Sequence, residues 1–457
     1  MNHLILGLAA LLTPVLAAAA DAPKIDTGDT ALVLVSAGLV LLMTPGLAFF
    51  YGGLVRSKNV VHTMVLSLAC MAVVGVLWTV AGYSLSFSPG GALNHFVGGL
   101  SWAGLRGVGP EPYADLSATV PHLAFMLFQA MFAVITPALV SGAIVERVRL
   151  KAFLLFAGLW SLVVYTPVCH WVWAPGGWLR ELGALDFAGG TVVHINAAAA
   201  AVVFAVVLGK RRGLRAPTVL PHNVPFAILG AGLLWFGWLG FNGGSALAAN
   251  GLAAYAFTNT FVAPAAAALA WGLLELFLFH GKMSGVGIAS GAVAGLVAIT
   301  PASGFVTPAS SLLIGGMAGI ASLLAVRFRP RLGLDDSLDV FAVHGVAATL
   351  GALLTGVFAD KAVNPAGADA SLALVGVQAV GIVATFAWSG LLSFGLLKLV
   401  SVITPLRADE QDEWSGMDMS DSGERAYISS DLETSPSAGA APPQPLAAAP
   451  VPVGTHH

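Results

Sequence analysis

Long apolar stretches alternate with short polar ones along most of the chain. A helix needs about 20 mostly apolar residues to cross the hydrocarbon of a bilayer, since it rises about 1.5 Å per residue. The sequence contains about eleven stretches of this kind. Their centres lie near positions 42, 73, 131, 162, 200, 234, 267, 292, 318, 348 and 386. The pattern predicts an all-α membrane protein with eleven transmembrane helices.

The composition agrees with a membrane location. Hydrophobic residues make up 57% of the 457 residues and charged residues only 9%, whereas soluble domains contain about 25% charged residues. The 54 glycines favour close helix packing, because small residues let helix backbones approach each other in lipid. The net charge of −3 gives no reason to expect a nucleic-acid partner.

Both ends of the chain differ from its apolar middle. Residues 1–20 form a short apolar run that ends in small residues. This predicts a cleaved signal peptide, with an additional spanning helix as the alternative. The eleven-helix domain is expected over residues 27–404, followed by an acidic tail at 405–428. The Pro- and Ala-rich residues 429–457 are predicted to be disordered.

Lysine and arginine are distributed unevenly among the gaps between the apolar stretches. Sixteen of the 20 fall in alternate gaps or in the tail. The other four are Lys24, Arg106, Arg180 and Lys361. Because loops rich in Lys and Arg stay in the cytoplasm, the N-terminus is expected outside and the C-terminus inside. An odd number of spans in the cytoplasmic membrane likewise requires the two termini to lie on opposite sides.

Two helix entrances have similar sequences. DFAGGTVVHINAAAA begins at Asp186 in the fifth apolar stretch, and DSLDVFAVHGVAATL begins at Asp336 in the tenth. In each, a histidine lies eight residues after the aspartate, at His194 and at His344. An FYGG motif in the first stretch likewise resembles FNGG in the sixth. Because five spans per half is an odd number, the two halves of this five-plus-five repeat would be inverted.

The inverted repeat predicts that His194 and His344 meet. One helix would enter from each side, placing each histidine about 12 Å into a hydrocarbon core about 30 Å thick. An ionisable residue at that depth marks a pathway, with packing by a neutral histidine as the alternative. Each aspartate is expected to cap its helix. Asp186, beside the outer mouth, would also favour a bound cation indirectly.

Four motifs together resemble those of the ammonium transporters of the Amt/Rh family, in its bacterial Amt branch. They are GLAFFYGGLVRSKNV, ALDFAGGTVVHINA, GWLGFNGGSA and DVFAVHGV. The resemblance extends from about residue 27 to residue 428. It implies a homotrimer that transports ammonium, in which each protomer has its own pore.

The resemblance also implies an outer site that recruits ammonium. It falls on Phe128, Phe132, Trp173 and Ser245. These residue types suit a small cation, because aromatic faces attract ammonium by about 0.5–2 kcal/mol and a serine oxygen accepts one of its hydrogen bonds. Packing against other helices or lipid is the alternative role of each aromatic residue.

Below this site, the resemblance implies a phenyl gate and a histidine-lined pore. The gate matches Phe132 and Phe241, and the pore matches Trp238, His194 and His344. An ammonium ion would lose its hydration beside phenyl rings, whereas neutral ammonia loses little. We therefore expect deprotonation near the outer site and passage of ammonia. The proton either stays outside or follows along the histidines.

The tail resembles the segment through which members of the family bind a trimeric PII signalling protein. The matching residues are Glu413, Gly416, Met417, Asp418, Gly423, Glu424, Ala426 and Tyr427. Ser422 stands where the family commonly has histidine, which leaves the manner of regulation open. A solvated tail without a partner is the alternative.

Other functions fit the sequence less well. A transporter of another small amine would predict charged residues in mid-span, and Glu275, near a helix end, is the nearest candidate. An ammonium sensor with the same fold would predict an appended signalling domain. An enzyme would predict a nucleophile elbow, a phosphate-binding loop or zinc-ligand spacing, none of which is found. We expect no catalysis, cofactor or bound metal.

Overall fold

The computed structural model describes residues 24–213, 220–278 and 281–427, and those residues form helices and loops without a β-strand. Within these described ranges, ten helical segments are long and apolar enough to cross a membrane, and a shorter apolar helix lies between the seventh and eighth of them. In chain order, α1 to α11 are Thr27–Leu54, Ser57–Phe87, His122–Ser141, Leu150–Glu181, Gly190–Leu208, Val224–Ala246, Gly251–Leu278, Gly285–Ile299, Pro308–Leu332, Phe341–Phe358 and Leu372–Ile403.

Every apolar stretch in the sequence coincides with one of these helices. The prediction of an all-α, multi-pass membrane protein is therefore confirmed. The shorter helix α8 has 15 residues, of which the last nine are all buried. The predicted signal peptide at 1–20 and the predicted disordered residues 429–457 lie outside the described part of the chain.

Close helix packing depends on glycine where α1 meets α6. A Cβ atom on Gly230 would lie 2.2 Å from the backbone nitrogen of Phe50, and one on Gly53 would lie 2.5 Å from that of Ala227. Both distances are far below van der Waals contact, so any larger residue would force the two backbones apart. Small residues thus bring these helices together, as is typical of helices packed in lipid.

The loops meet at two opposite faces of the bundle. We call the first the Asp26 face, because α1 begins there at its N-cap Asp26. The N–H of Asp26 donates to the carbonyl of Thr119, and the N–H of Phe187 donates to the carbonyl of Pro301. These bonds join the loops that precede α1, α3, α5 and α9.

The second face is the Arg147 face. The Arg147 side chain is fully buried and donates to the carbonyl of Asp335 at 2.7 Å and to the hydroxyl of Ser337 at 2.6 Å. The carbonyl of Arg147 accepts a hydrogen bond from the N–H of Ala408. A buried guanidinium is costly unless its donors are satisfied, so Arg147 fixes the loop before α10 and the start of the tail in one arrangement.

The tail at 405–427 packs against the Arg147 face. Arg149 pairs with Asp421 at 3.1 Å and with Asp412 at 2.5 Å. The side-chain oxygen of Asn59 accepts a hydrogen bond from the N–H of Met417 at 2.9 Å. The tail is thus bound to the start of α2 and to the loop that precedes α4.

Candidate functional site

The aspartate before α5 caps the start of that helix. The Asp186 carboxylate accepts hydrogen bonds of 2.6–3.1 Å from the backbone N–H groups of Gly189, Gly190, Thr191 and Val192. Burial raises the pKa of Asp186, and these four N–H groups oppose the rise because they favour the charged form. The geometry matches the expected capping role.

The aspartate before α10 acts in the same way from the Arg147 face. The Asp336 carboxylate accepts from the N–H of Val340 at 3.0 Å and from that of Phe341 at 2.7 Å. Both capped helices begin with a π-helical turn, Gly190–Ile195 in α5 and Phe341–Val346 in α10. Turns of this kind are rare in proteins, and those that do occur are frequently located at functional sites. Each of these two contains one of the predicted histidines.

His194 and His344 lie side by side in the centre of the bundle. Their rings are nearly parallel, with centroids 5.3 Å apart, and their Nδ1 atoms are 3.2 Å apart. One nitrogen must donate and the other must accept, so the neutral pair shares a single hydrogen between them. The Nε2 atom of His194 is buried and has no hydrogen-bond partner among the described residues.

Trp238 lies against the other side of His194. The indole and imidazole rings are stacked with centroids 5.2 Å apart. The indole N–H donates to the hydroxyl of Thr300 at 2.8 Å, which fixes the orientation of the ring. Trp238 therefore forms a wall beside the histidine pair.

Two phenyl rings lie next in line. The centroids of Phe132 and Phe241 are 4.3 Å apart and the rings are tilted by 39° rather than stacked face to face. Phe241 is also 6.1 Å from His194. Both phenyl side chains are buried. Because the two rings are in van der Waals contact, they close the column above the histidines in this structure.

A small cavity opens beyond the phenyl pair. We call it the narrow cavity; it has a volume of about 160 Å³ and its walls include Trp173, Ser245, Gln129 and Arg180. The indole of Trp173 meets Phe132 edge to face at 5.6 Å. The Ser245 hydroxyl donates to a backbone carbonyl, so its oxygen keeps lone pairs that can accept a hydrogen bond from a cation.

Phe132 does not line the narrow cavity, and neither does Phe128. It is fully buried and meets Phe132 edge to face, with centroids 4.9 Å apart. In this structure it supports the phenyl pair from behind.

Gln129 and Arg180 line the cavity but were not among the predicted site residues. In the sequence, a role for Gln129 is indicated by its being a polar residue inside the apolar stretch that forms α3.

A larger cavity lies at the other end of the column. We call it the wide cavity; it has a volume of about 490 Å³ and is lined by residues that include His344, Tyr51, Glu275, Asp339 and Arg329. Burial raises the pKa of Asp339 to about 7, although the nearby Arg329 opposes the rise. Apart from His344, none of these residues was predicted to belong to the site.

Together these groups form one column from the Asp26 face to the Arg147 face. It runs from the narrow cavity through the phenyl pair and the histidine pair into the wide cavity. The walls between the cavities are aromatic rings. Within the described ranges, no group of three or more His, Cys, Asp or Glu side chains could hold a metal ion. The column suits the passage of a small, uncharged or singly charged molecule.

Known proteins are similar to this chain in both sequence and fold. The chain matches the Ammonium Transporter Family over residues 31–427. An ammonium transporter of Bacillus subtilis is 50% identical over 405 residues, which cover 88% of this chain and 98% of the relative.

Two solved structures have the same fold, each with a TM-score of 0.79. Mep2 of Saccharomyces cerevisiae is 36% identical, with 85% of this chain and 89% of that chain covered. A protein described as a sensor Amt protein is 28% identical, with 86% and 98% covered. The chain therefore belongs to the ammonium transporter family, whose members are transporters and not enzymes.

Proposed function

We propose that this protein transports ammonium across the cytoplasmic membrane. The observation that carries the proposal is the column of aromatic and imidazole rings that connects a cation-compatible cavity with a wide cavity on the opposite face. The names of the relatives agree with ammonium as the substrate. In this proposal the Asp26 face is external and the Arg147 face is cytoplasmic.

Recruitment would take place in the narrow cavity. The indole of Trp173 presents a π-system that attracts a cation, and the Ser245 oxygen can accept one hydrogen bond. Phe132 lies directly behind Trp173 and would bind the cation once it moves out of the cavity toward the phenyl pair. Phe128 contributes indirectly by holding Phe132. Asp186 supports the site through the carbonyl oxygen to which the indole N–H of Trp173 donates at 2.9 Å.

Transfer past the phenyl pair requires the neutral molecule. An ammonium ion would have to shed its hydration shell between Phe132 and Phe241, where nothing replaces it, whereas ammonia gives up far less. Ammonium therefore loses one proton near the narrow cavity and ammonia enters the column. The phenyl rings must swing apart for each molecule, since they are in contact in this structure.

The histidine pair suits ammonia because ammonia both donates and accepts hydrogen bonds. If His194 donates its Nδ1 hydrogen to His344, its Nε2 is an acceptor and the Nε2 of His344 is a donor; the opposite tautomers exchange these roles. Either arrangement gives ammonia one donor and one acceptor. The shared Nδ1 hydrogen also provides a route by which the released proton could follow; otherwise it stays outside.

We further propose that all eleven helices cross the membrane as an inverted five-plus-five repeat. With 15 residues, α8 spans about 22 Å, and loops buried in protein complete the crossing. Two observations support this topology. The capped π-helical starts of α5 and α10 face opposite sides. Of the lysine and arginine residues that the structure describes, most lie on the Arg147 face, as expected for the cytoplasmic side.

The proposed assembly is a homotrimer that binds a PII-type protein at the Arg147 face. Both proposals rest on the family resemblance. The packed tail supports the second, because it lies against the cytoplasmic loops, where a partner can reach both the tail and the loops. Ser422 in place of the family histidine leaves room for a different affinity. Mass measurement in detergent and binding of purified PII protein test these two points.

The transport proposal is tested with the full-length protein in liposomes. A pulse of ammonium is expected to produce a current on a solid-supported membrane or a rise in internal pH, and an equal pulse of potassium is expected to produce neither. Potassium has a similar size but no proton to release. Equal passage of potassium and ammonium would refute the mechanism.

An ammonium sensor is the second candidate, because the sensor Amt protein has the same fold. A sensor would bind ammonium in the narrow cavity without significant flux. Binding measured by calorimetry together with silent liposomes would favour it. A transporter of another small amine would instead move that amine faster than ammonium in the same assay.

A further inference from the structure

Arg180 is a positively charged residue in the wall of the cavity proposed to recruit a cation. It lies in the short helical turn Trp178–Glu181 at the end of α4, which a break after Trp173 separates from the rest of the helix. It lines the narrow cavity together with Trp173 and Ser245. Its Nη1 donates to the backbone carbonyl of Trp173 at 2.5 Å. Arg180 thus touches the residue whose indole would bind ammonium.

The charge of Arg180 is not balanced by a neighbouring carboxylate. None of the described Asp or Glu side chains forms an ion pair with it, and its neighbour Glu181 pairs with His95 at 3.2 Å. The Asp186 carboxylate accepts four backbone N–H bonds at the start of α5. A cation that enters the narrow cavity therefore meets a positive charge.

The contact with Trp173 has a structural effect of its own. Trp173 is the last residue of the helical segment Thr166–Trp173, so its carbonyl has no partner within the helix. A guanidinium at that position satisfies the carbonyl and interacts favourably with the helix dipole. Arg180 therefore also holds Trp173 in place.

We infer that Arg180 sets the affinity of the narrow cavity for ammonium. Its hydrogen bond positions Trp173, and its positive charge lowers the affinity for ammonium and so favours release of the substrate. A positive charge beside bound ammonium also favours its neutral form, which is the form that passes the phenyl pair. The residue would raise both KM and the maximal rate. This inference rests on the proposed transport function.

The decisive variants separate the charge from the hydrogen bond. Arg180→Gln keeps a donor and removes the charge, whereas Arg180→Lys keeps the charge and loses the planar fork. At low ionic strength we expect Arg180→Gln to lower KM for ammonium about two- to fourfold, as expected for removing one partly screened charge. Its maximal rate should fall, and Arg180→Lys should stay close to the unmodified protein.

The dependence of KM on ionic strength distinguishes an electrostatic role of Arg180 from a purely structural one, because only an electrostatic effect is screened by salt. At about 0.5 M sodium chloride the Debye length is about 4 Å, so the KM difference between Arg180→Gln and the unmodified protein should largely disappear. The KM of the unmodified protein should itself fall as salt is added. That second measurement needs no variant and stays informative if a variant fails to fold.

Arg106→Gln is the matched control. Arg106 is exposed, lies on the same face and does not line the narrow cavity, so its removal should leave KM unchanged. The inference is overturned if Arg180→Gln and Arg180→Lys shift KM alike, or if added salt has no effect. If the unmodified protein moves no ammonium at all, the proposed function fails instead, and no KM is obtained from any variant.

Discussion

The Nδ1 atoms of His194 and His344 lie 3.2 Å apart, although the residues are 150 positions apart in the chain. Two ring nitrogens at this distance share one hydrogen, so the protonation of one ring determines that of the other. The two imidazoles therefore act as one unit that offers a donor at one end and an acceptor at the other. This coupling leads to the first prediction.

Replacing either histidine with alanine should abolish most transport, and replacing both should do little more. We expect the ammonium-induced current to fall about tenfold or more in His194→Ala and in His344→Ala, because residues that act as a unit are not additive. Solid-supported membrane electrophysiology measures this. His222→Ala is the control, since the His222 ring bonds to the carbonyl of Val55 on the Arg147 face. If the losses of current in the two single variants multiply in the double variant, the histidines act independently, which would contradict a coupled pair.

Removing one ring of the phenyl pair should reduce selectivity. Phe241→Ala opens the contact with Phe132, so water and potassium gain access to the column, and potassium-driven currents should appear. Phe204→Ala removes an equally buried ring that packs on Phe156 at 4.8 Å. Each substitution should cost about 3–5 kcal/mol of stability, so a potassium current in Phe241→Ala alone isolates the gate. Unchanged potassium exclusion would show that the phenyl pair is not the barrier.

The cap of α5 should contribute strongly to stability. Asp186→Ala leaves four buried N–H groups without their acceptor, and we expect a loss of about 3 kcal/mol or more, since each unsatisfied buried donor costs about 1–3 kcal/mol. Asp26→Ala, at the exposed start of α1 where one N–H is bonded, should cost about 1 kcal/mol. Thermal unfolding in detergent compares the two. Equal losses of stability in the two variants would show that the four hydrogen bonds to Asp186 contribute no more than the one to Asp26.

The hydrogen bond that orients Trp238 should matter for transport. Thr300→Val keeps the shape of the side chain but leaves the buried indole N–H of Trp238 without an acceptor, at a cost of about 1–3 kcal/mol. We expect the ammonium current to fall several-fold. Thr355→Val is matched, because both hydroxyls donate to a backbone carbonyl four residues earlier and Thr355 does not line the column. Similar currents in both variants would argue against a role for this bond.

The raised pKa of Asp339 predicts that the folded protein loses stability as the pH rises. Burial raises its pKa from 3.8 to about 7, so the folded protein binds the proton more tightly than the unfolded chain does. The stability that this proton provides is present below pH 4 and is lost as the pH rises through about 7.

Asp339→Asn should remove that dependence. Its side chain cannot ionise, and asparagine tolerates the positive φ of 60° at this position. The unfolding temperature in detergent should therefore fall less between pH 6 and pH 8.5 in the variant than in the unmodified protein. Parallel decreases in the two proteins would show that another group is responsible.

The sequence by itself determined the helices and the repeated entrances. Transfer of an apolar segment into lipid depends mainly on its own residues, so the length and polarity of each stretch were sufficient to locate every helix. The eight-residue spacing from aspartate to histidine is also local. It fixed the capping of α5 and α10 by Asp186 and Asp336, because a cap and its N–H donors lie within a few residues of each other.

Only the tertiary structure decided which side chains meet. The tilt of Phe132 against Phe241, the position of Phe128 behind them, and the inclusion of Arg180 and Asp339 in the two cavities depend on how α3, α4, α6 and α10 pack together. No local pattern encodes these distances, because each cavity is formed by residues from several helices. The approach of those helices depends on close contacts such as Gly230 against the backbone of Phe50, which a one-dimensional pattern of polarity does not contain.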